Sequence, residues 1–208
     1  MRTMHQANTM SLKSRKAILL GTSALVCLAL AAPVMATDFI IASGSTTNDS
    51  KAINGGDTVN VTGALTTTGS NKGIDTTGGT NTVIVSEAGS IETTGGEANA
   101  ILNIGNFNKT TVSGRIETRG SWADGIYNKG NSNTTTLSGR IKTMLDSFGI
   151  SNAGSNNKTT VSKTGSITSM GADNGTGTGI YNQGNENTTT VSGRIMTGTE
   201  TCLLYTSD

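Results

Sequence analysis

The chain has 208 residues, 28 of them glycine, with 3% aromatic and 14% charged side chains and a formal net charge of +1. Its single histidine (His5) and two cysteines (Cys27 and Cys202) lie outside the stretch 37–201, which carries 11 basic and 13 acidic residues, a balance of −2. That stretch therefore has no disulfide framework, lacks the usual imidazole and thiolate ligands of zinc, and offers no basic patch for nucleic acid.

The N-terminus has the three-part order of an export signal. Arg2, Lys13, Arg15 and Lys16 are basic, residues 17–32 are almost wholly apolar, and Ala32-Pro33-Val34-Met35-Ala36 supplies small residues before a cleavage point. Residues 1–36 thus read as a secretory signal peptide cut after Ala36. A membrane anchor needs about 20 apolar residues, whereas this run is shorter and contains Gly21, Thr22 and Ser23. Met10 offers a second start with a more ordinary leader. A lipoprotein at Cys27 fits poorly, since Leu25-Val26 lacks the small residue expected before a lipidated cysteine.

Residues 37–56 read as an entry segment or cap, and residues 57–201 as repeats. Three apolar columns recur in step. The first is Val61, Val85, Val112, Leu137, Val161 and Val191; the second is Leu65, Ile91, Ile116, Ile141, Ile167 and Ile195; the third is Ile74, Ile101, Ile126, Ile150 and Ile180. Low-complexity disorder has no reason to hold β-branched positions in register. Around each column the pattern has period two, as in Thr134-Thr135-Thr136-Leu137, where Thr135 and Leu137 share a face. Gly-rich and Asn-rich breaks separate three short strands per unit. No such strand can bury a face within its own unit, but coiling pairs each with its equivalent one turn on. The expected fold is all-β: a right-handed parallel β-helix (β-solenoid) of about six turns of roughly 25 residues, with all three columns inward from Val112 to Ile195.

Asn103, Asn128, Asn152 and Asn182 each follow a third-column Ile by two residues. They are expected to form a structural ladder, amide to amide, that satisfies backbone groups at a tight corner. Gly105, Gly130, Gly154 and Gly184 come two residues later, where positive φ is tolerated. The stretch from Gly171 to Gly177 reads as an insertion looping out of the rod.

Repeats such as Thr110-Thr111-Val112-Ser113-Gly114-Arg115-Ile116 and Gly179-Ile180-Tyr181-Asn182-Gln183-Gly184-Asn185 resemble the passenger regions of bacterial autotransporters and related surface adhesins. The resemblance spans about 57–196 and is one of pattern more than of specific motif. It implies an outer-membrane-anchored or extracellular location and a host, matrix or cell-surface ligand. It also implies a C-terminal translocator barrel in cis, of which these residues contain no match. Other exported β-solenoids fit the same pattern.

Such solenoids also carry polysaccharide-active enzymes, whose chemistry needs converging carboxylates. Glu92 and Glu117 follow the second-column Ile in adjacent turns, and Lys142, Thr168 and Met196 continue their column, beside Arg115 and Arg140. A solvated mixed-charge stripe is the expectation, with no catalytic residue, metal site or cofactor. An ice-binding face would use Thr111, Thr136, Thr160 and Thr190, flanked by Ser113, Ser138, Ser162 and Ser192. The adjacent Lys109 and Lys158 break its flatness. Tyr127 and Tyr181 are expected as exposed aromatics, separated by Ser151. The Asn-x-Thr sequences at Asn108, Asn133, Asn157 and Asn187 are read as corner chemistry and not as glycosylation sites.

Cys202-Leu203-Leu204-Tyr205-Thr206-Ser207-Asp208 departs in composition from everything before it. It resembles a translated sequencing-library adapter, so residues 202–208 are expected to be a non-native tail on a chain that naturally continues.

Overall fold

The structure, a computed structural model, describes residues 38–171, 177–198 and 204–207. The expected signal peptide, the core of the expected insertion, and residues 199–203 and 208 lie outside the described residues. The described residues form 21 short strands. In chain order they begin β1 (Asp38–Ile41), β2 (Thr46–Thr47), β3 (Lys51–Asn54), β4 (Thr58–Val61), β5 (Ala64–Thr67) and β6 (Ile74–Thr77). There follow β7 (Thr82–Val85), β8 (Ser90–Thr93), β9 (Ile101–Ile104), β10 (Lys109–Val112), β11 (Arg115–Thr118) and β12 (Ile126–Lys129). Next come β13 (Thr134–Leu137), β14 (Arg140–Thr143), β15 (Phe148–Ala153), β16 (Lys158–Val161), β17 (Ser166–Ser169) and β18 (Thr178–Gln183). The last are β19 (Thr188–Val191), β20 (Arg194–Thr197) and β21 (Leu204–Ser207).

Every third strand pairs, always in parallel. Sheet A runs β1-β4-β7-β10-β13-β16-β19, sheet B runs β2 to β20 in the same manner, and sheet C runs from β3 to β21. The result is an all-β solenoid of about six turns of about 25 residues, without a helix among the described residues. Thr, Val and Ile dominate the strands because a branched side chain suits a pleated, half-buried surface.

The core is a stack of in-register columns. In sheet A, Ile41, Val61, Val85, Val112, Leu137 and Val161 are at most 3% exposed; in sheet B, Leu65, Ile91, Ile116, Ile141 and Ile167 are at most 1% exposed. Ile74, Ile101, Ile126, Ile150 and Ile180 line sheet C at 0%. At about 1.5–3 kcal/mol for each fully buried side chain, these columns are the main drive for coiling.

Two expected members of the core differ. Val191 keeps its register with Val161 but is 42% exposed, and Ile195 is only partly buried against the core. Both belong to the outermost strands of sheets A and B, with no described strand packed over them. The expected entry segment already forms a rung, β1 to β3, whose Ile41 and Ile53 join the core. At the other end, β21 extends sheet C, with Leu204 opposite Ile180 and Tyr205 opposite Tyr181. The tail that breaks the composition of the repeat nevertheless matches the sequence order of β18, an aliphatic residue followed by Tyr and two polar residues.

The turns between sheets are tight. A Cβ built on Gly139 would lie 2.0 Å from the Gly114 carbonyl oxygen of the preceding turn, so this corner between sheets A and B admits no side chain. Between sheets C and A, Gly130 and Gly154 take φ of 146° and 144°, conformations that an L side chain rarely adopts.

Candidate functional site

The four expected ladder asparagines lie inside the solenoid, each at most 2% exposed. Asn103 Nδ2 donates to Asn128 Oδ1, Asn128 Nδ2 to Asn152 Oδ1 and Asn152 Nδ2 to Asn182 Oδ1, each at 2.7 Å. The partners of the second N–H differ from the expectation. They are not backbone groups at a corner but the hydroxyls of Thr110, Thr135, Thr159 and Thr189 on sheet A, at 3.0–3.1 Å. Thr76 Oγ1 donates to Asn103 Oδ1 at 3.2 Å and closes the early end. Earlier turns have no such network: Ile53 holds the sheet C position, and Val59 and Val83 replace the threonines of sheet A. A buried amide is costly alone and stabilising when every group is paired, so the asparagines and threonines enter the interior together.

The corner is served by a different column. Asn81, Asn108, Asn133, Asn157 and Asn187 accept, through Oδ1, the backbone N–H of Asp57, Asn81, Asn108, Asn133 and Asn157 in turn, at 2.8–3.2 Å. Four of them begin the Asn-x-Thr sequences, and Asn108, Asn133 and Asn157 are 1% exposed. Their amides face a packed corner.

Glu92 and Glu117 do stand one rung apart in register; Glu92 and the arginines stay solvated as expected, whereas Glu117 does not. The Glu117 side chain is 3% exposed, paired with Arg115 and, at 3.2 Å, with Arg119 Nη2; Arg119 Nε also reaches Glu92 Oε1 at 3.0 Å. Arg119, one residue past β11, is the member that sequence reasoning missed. It folds back over the sheet and covers the inner carboxylate. Two acids and two guanidinium groups thus form a closed network of net charge zero.

Further along the same outer face a groove is lined by Arg140, Lys142, Ser166, Thr168, Arg194 and Met196. Strand pairing explains its shape. Arg140, Ser166 and Arg194 align across β14, β17 and β20, as do Lys142, Thr168 and Met196. The short hydroxyl residues of β17 form a floor between the long side chains of its neighbours. Among the described residues, none of the three cations has a carboxylate within ion-pair distance.

On the outer face of sheet C, Tyr127, Ser151 and Tyr181 align. Both tyrosines are partly buried, and Tyr181 stacks on Phe148 with ring centroids 4.8 Å apart and planes 13° from parallel. The small Ser151 leaves room for that ring. Nearby, Asp124 Oδ1 accepts the Phe148 N–H at 2.9 Å while its own N–H donates to Asn99 Oδ1 at 2.8 Å. Burial pushes the Asp124 carboxyl up to about 7, against the opposing effect of that backbone bond. Tyr127 is raised as well, first by burial, then by the Asp124 charge and by Tyr181. On sheet A, Thr111, Thr136, Thr160 and Thr190 form one aligned outer column, and Lys109 and Lys158 project from the neighbouring column.

No group of three His, Cys, Asp or Glu side chains among the described residues is placed to hold a metal ion. Three outer features therefore stand as candidates: the neutral acid–guanidinium cluster, the aromatic–carboxyl patch and the cationic groove. Of these three, the groove joins a concave shape to cations that have no carboxylate within ion-pair distance among the described residues. No known family, curated protein or solved structure matches the chain.

Proposed function

We propose that this chain is an exported, surface-displayed β-solenoid that acts as an adhesin-like stalk and binding surface, without a catalytic role in this segment. The observation that carries the binding role is the groove of sheet B, where three cations without an ion-pair partner among the described residues surround a hydroxyl floor. Large apolar side chains left in water add to it. Trp122 and Phe107, at corners of the coil, are 67% and 65% exposed, as befits residues that meet a partner. The basic, apolar and small-residue order of residues 1–36 supports export. The resemblance of residues 57–196 to autotransporter passengers supports display beyond an outer membrane, with a translocator barrel as the partner in cis.

The test uses the natural gene in a native or closely related host. N-terminal sequencing of the exported product should begin Thr37-Asp38-Phe39. Protease added to intact cells should degrade the solenoid. A product that keeps residues 1–36 and is protected in intact cells would refute export and display together.

A further inference from the structure

We propose that the groove between Arg140 and Arg194 binds a linear acidic polysaccharide, one that carries sulfate or uronate groups. The proposal deepens the binding-surface reading and rests on it.

The shape comes from the strand spacing. Neighbouring strands lie about 4.8 Å apart, so Arg140 and Arg194, two rungs apart in one register column, are separated at their backbones by about 10 Å. Between them Ser166 and Thr168 of β17 present only hydroxyls, so the groove runs along β17 and across the solenoid axis. Lys142 stands beside Arg140, and Met196 beside Arg194.

Among the described residues no acid pairs with these cations, and Glu92 and Glu117 on the same face are held by Arg119 and Arg115. Glu117 aligns with Lys142, but no ion pair joins them. Lys163, exposed in the turn that leads into β17, adds a further positive charge to the approach. Guanidinium forks match carboxylate and sulfate oxygens in bidentate geometry. The Ser166 and Thr168 hydroxyls can donate to and accept from sugar hydroxyls, and the Met196 thioether offers an apolar wall to the C–H face of a ring.

A nucleic acid is the weaker fit. No aromatic side chain lines the groove to stack a base, and three cations over about 10 Å fall short of the six to ten phosphate contacts typical of duplex binding.

The experiment titrates the full chain with dextran sulfate, polygalacturonate, neutral dextran and DNA by calorimetry at low and physiological salt. The two acidic glycans should bind, more weakly as salt rises, and neutral dextran should not. The R140A/R194A variant should bind them about tenfold more weakly. The K109A/K158A variant, which removes exposed cations from sheet A, should change binding less than twofold. R140K/R194K keeps the charge and removes the forks; an intermediate loss is expected, and it provides the measurement if the alanine variant fails to fold.

Equal losses in the sheet A and sheet B variants would overturn the proposal, since binding would then be diffuse. So would absence of binding to both acidic glycans, or DNA binding at least as tight and lost in the same variants. These solution outcomes are separate from export. A chain that binds glycan but stays inside the cell refutes display alone, whereas a displayed chain that ignores glycan refutes only this inference.

Discussion

Replacing Asn128 with Asp exchanges one amide nitrogen for oxygen in a side chain that is 1% exposed. In the native chain its Nδ2 donates to Asn152 Oδ1 at 2.7 Å and to Thr135 Oγ1 at 3.1 Å, while its Oδ1 accepts from Asn103 Nδ2 at 2.7 Å. A protonated Asp keeps the acceptor and one donor, so it loses one hydrogen bond, about 1 kcal/mol. An ionised Asp loses both donors, faces the Asn152 oxygen and has no cation to pair with, so the folded state would sooner take up a proton. Holding that proton at pH 7 against an unfolded-state pKa near 3.9 costs about 4 kcal/mol. The expected total is about 5 kcal/mol at pH 7 and roughly 1–2 kcal/mol at pH 4. The direction follows from a folded pKa above the unfolded one: the protonated form's stability is present below about pH 4 and is lost as pH rises.

Urea unfolding followed by far-UV circular dichroism at the two pH values measures both numbers. Asn131→Asp is the control. Asn131 is exposed, and only its Oδ1 is used, as acceptor of the Ser155 N–H at 2.8 Å. It should change stability by less than about 0.5 kcal/mol. An Asn128→Asp chain as stable as the native one at pH 7, or a loss independent of pH, would refute the reading that this amide must both give and accept.

Ile141→Asp should cost about 3–5 kcal/mol by burying an unpaired charge, while Lys142→Gln on the opposite face should change stability by under about 0.5 kcal/mol; equal effects in thermal melts would overturn the assigned faces. Asp124→Asn keeps the acceptor for the Phe148 N–H and matches Asn99 one turn earlier. Because the Asp124 carboxyl is pushed up to about 7, the native chain should lose stability as pH rises from about 4 to 7, and the Asn variant should lack that slope and gain roughly 1–3 kcal/mol at pH 8. Gly139→Ala forces a methyl to within 2.0 Å of a carbonyl oxygen and should cost about 3 kcal/mol. Gly56→Ala, with φ of 90° but nothing within 4 Å, should cost only about 1–2 kcal/mol.

The coil was legible because each turn must place its branched side chains above those of the turn before, and Ile116, Ile141 and Ile167 keep that step in sequence as in space. The asparagine column was equally legible, but its threonine partners were not identified. Their signal was present, since a Thr follows each ladder Asn by seven residues and Val83 follows Thr76 at the same offset. Reading it requires knowing that seven residues lead from sheet C round the corner to sheet A. The burial of Glu117 could not be read from a column, because Arg119 lies beyond its strand and has no counterpart in adjacent turns: Thr94 and Met144 stand there. The groove was hidden for the opposite reason. It depends on what is small, Ser166 and Thr168, between residues that are long.

The hydrogen bonds of the two asparagine columns have a direction. Asn103 gives to Asn128, Asn128 to Asn152 and Asn152 to Asn182, and at the corner the main-chain N–H of each turn gives to the side chain of the next. A coil stopped at any of these turns therefore leaves the donors of both columns open at its C-terminal side, and the next turn supplies the carbonyl oxygens that receive them. In these columns the two ends of the stack are chemically unlike. Two such stacks brought together top to top would set donor against donor, while top to bottom they would continue the same grammar.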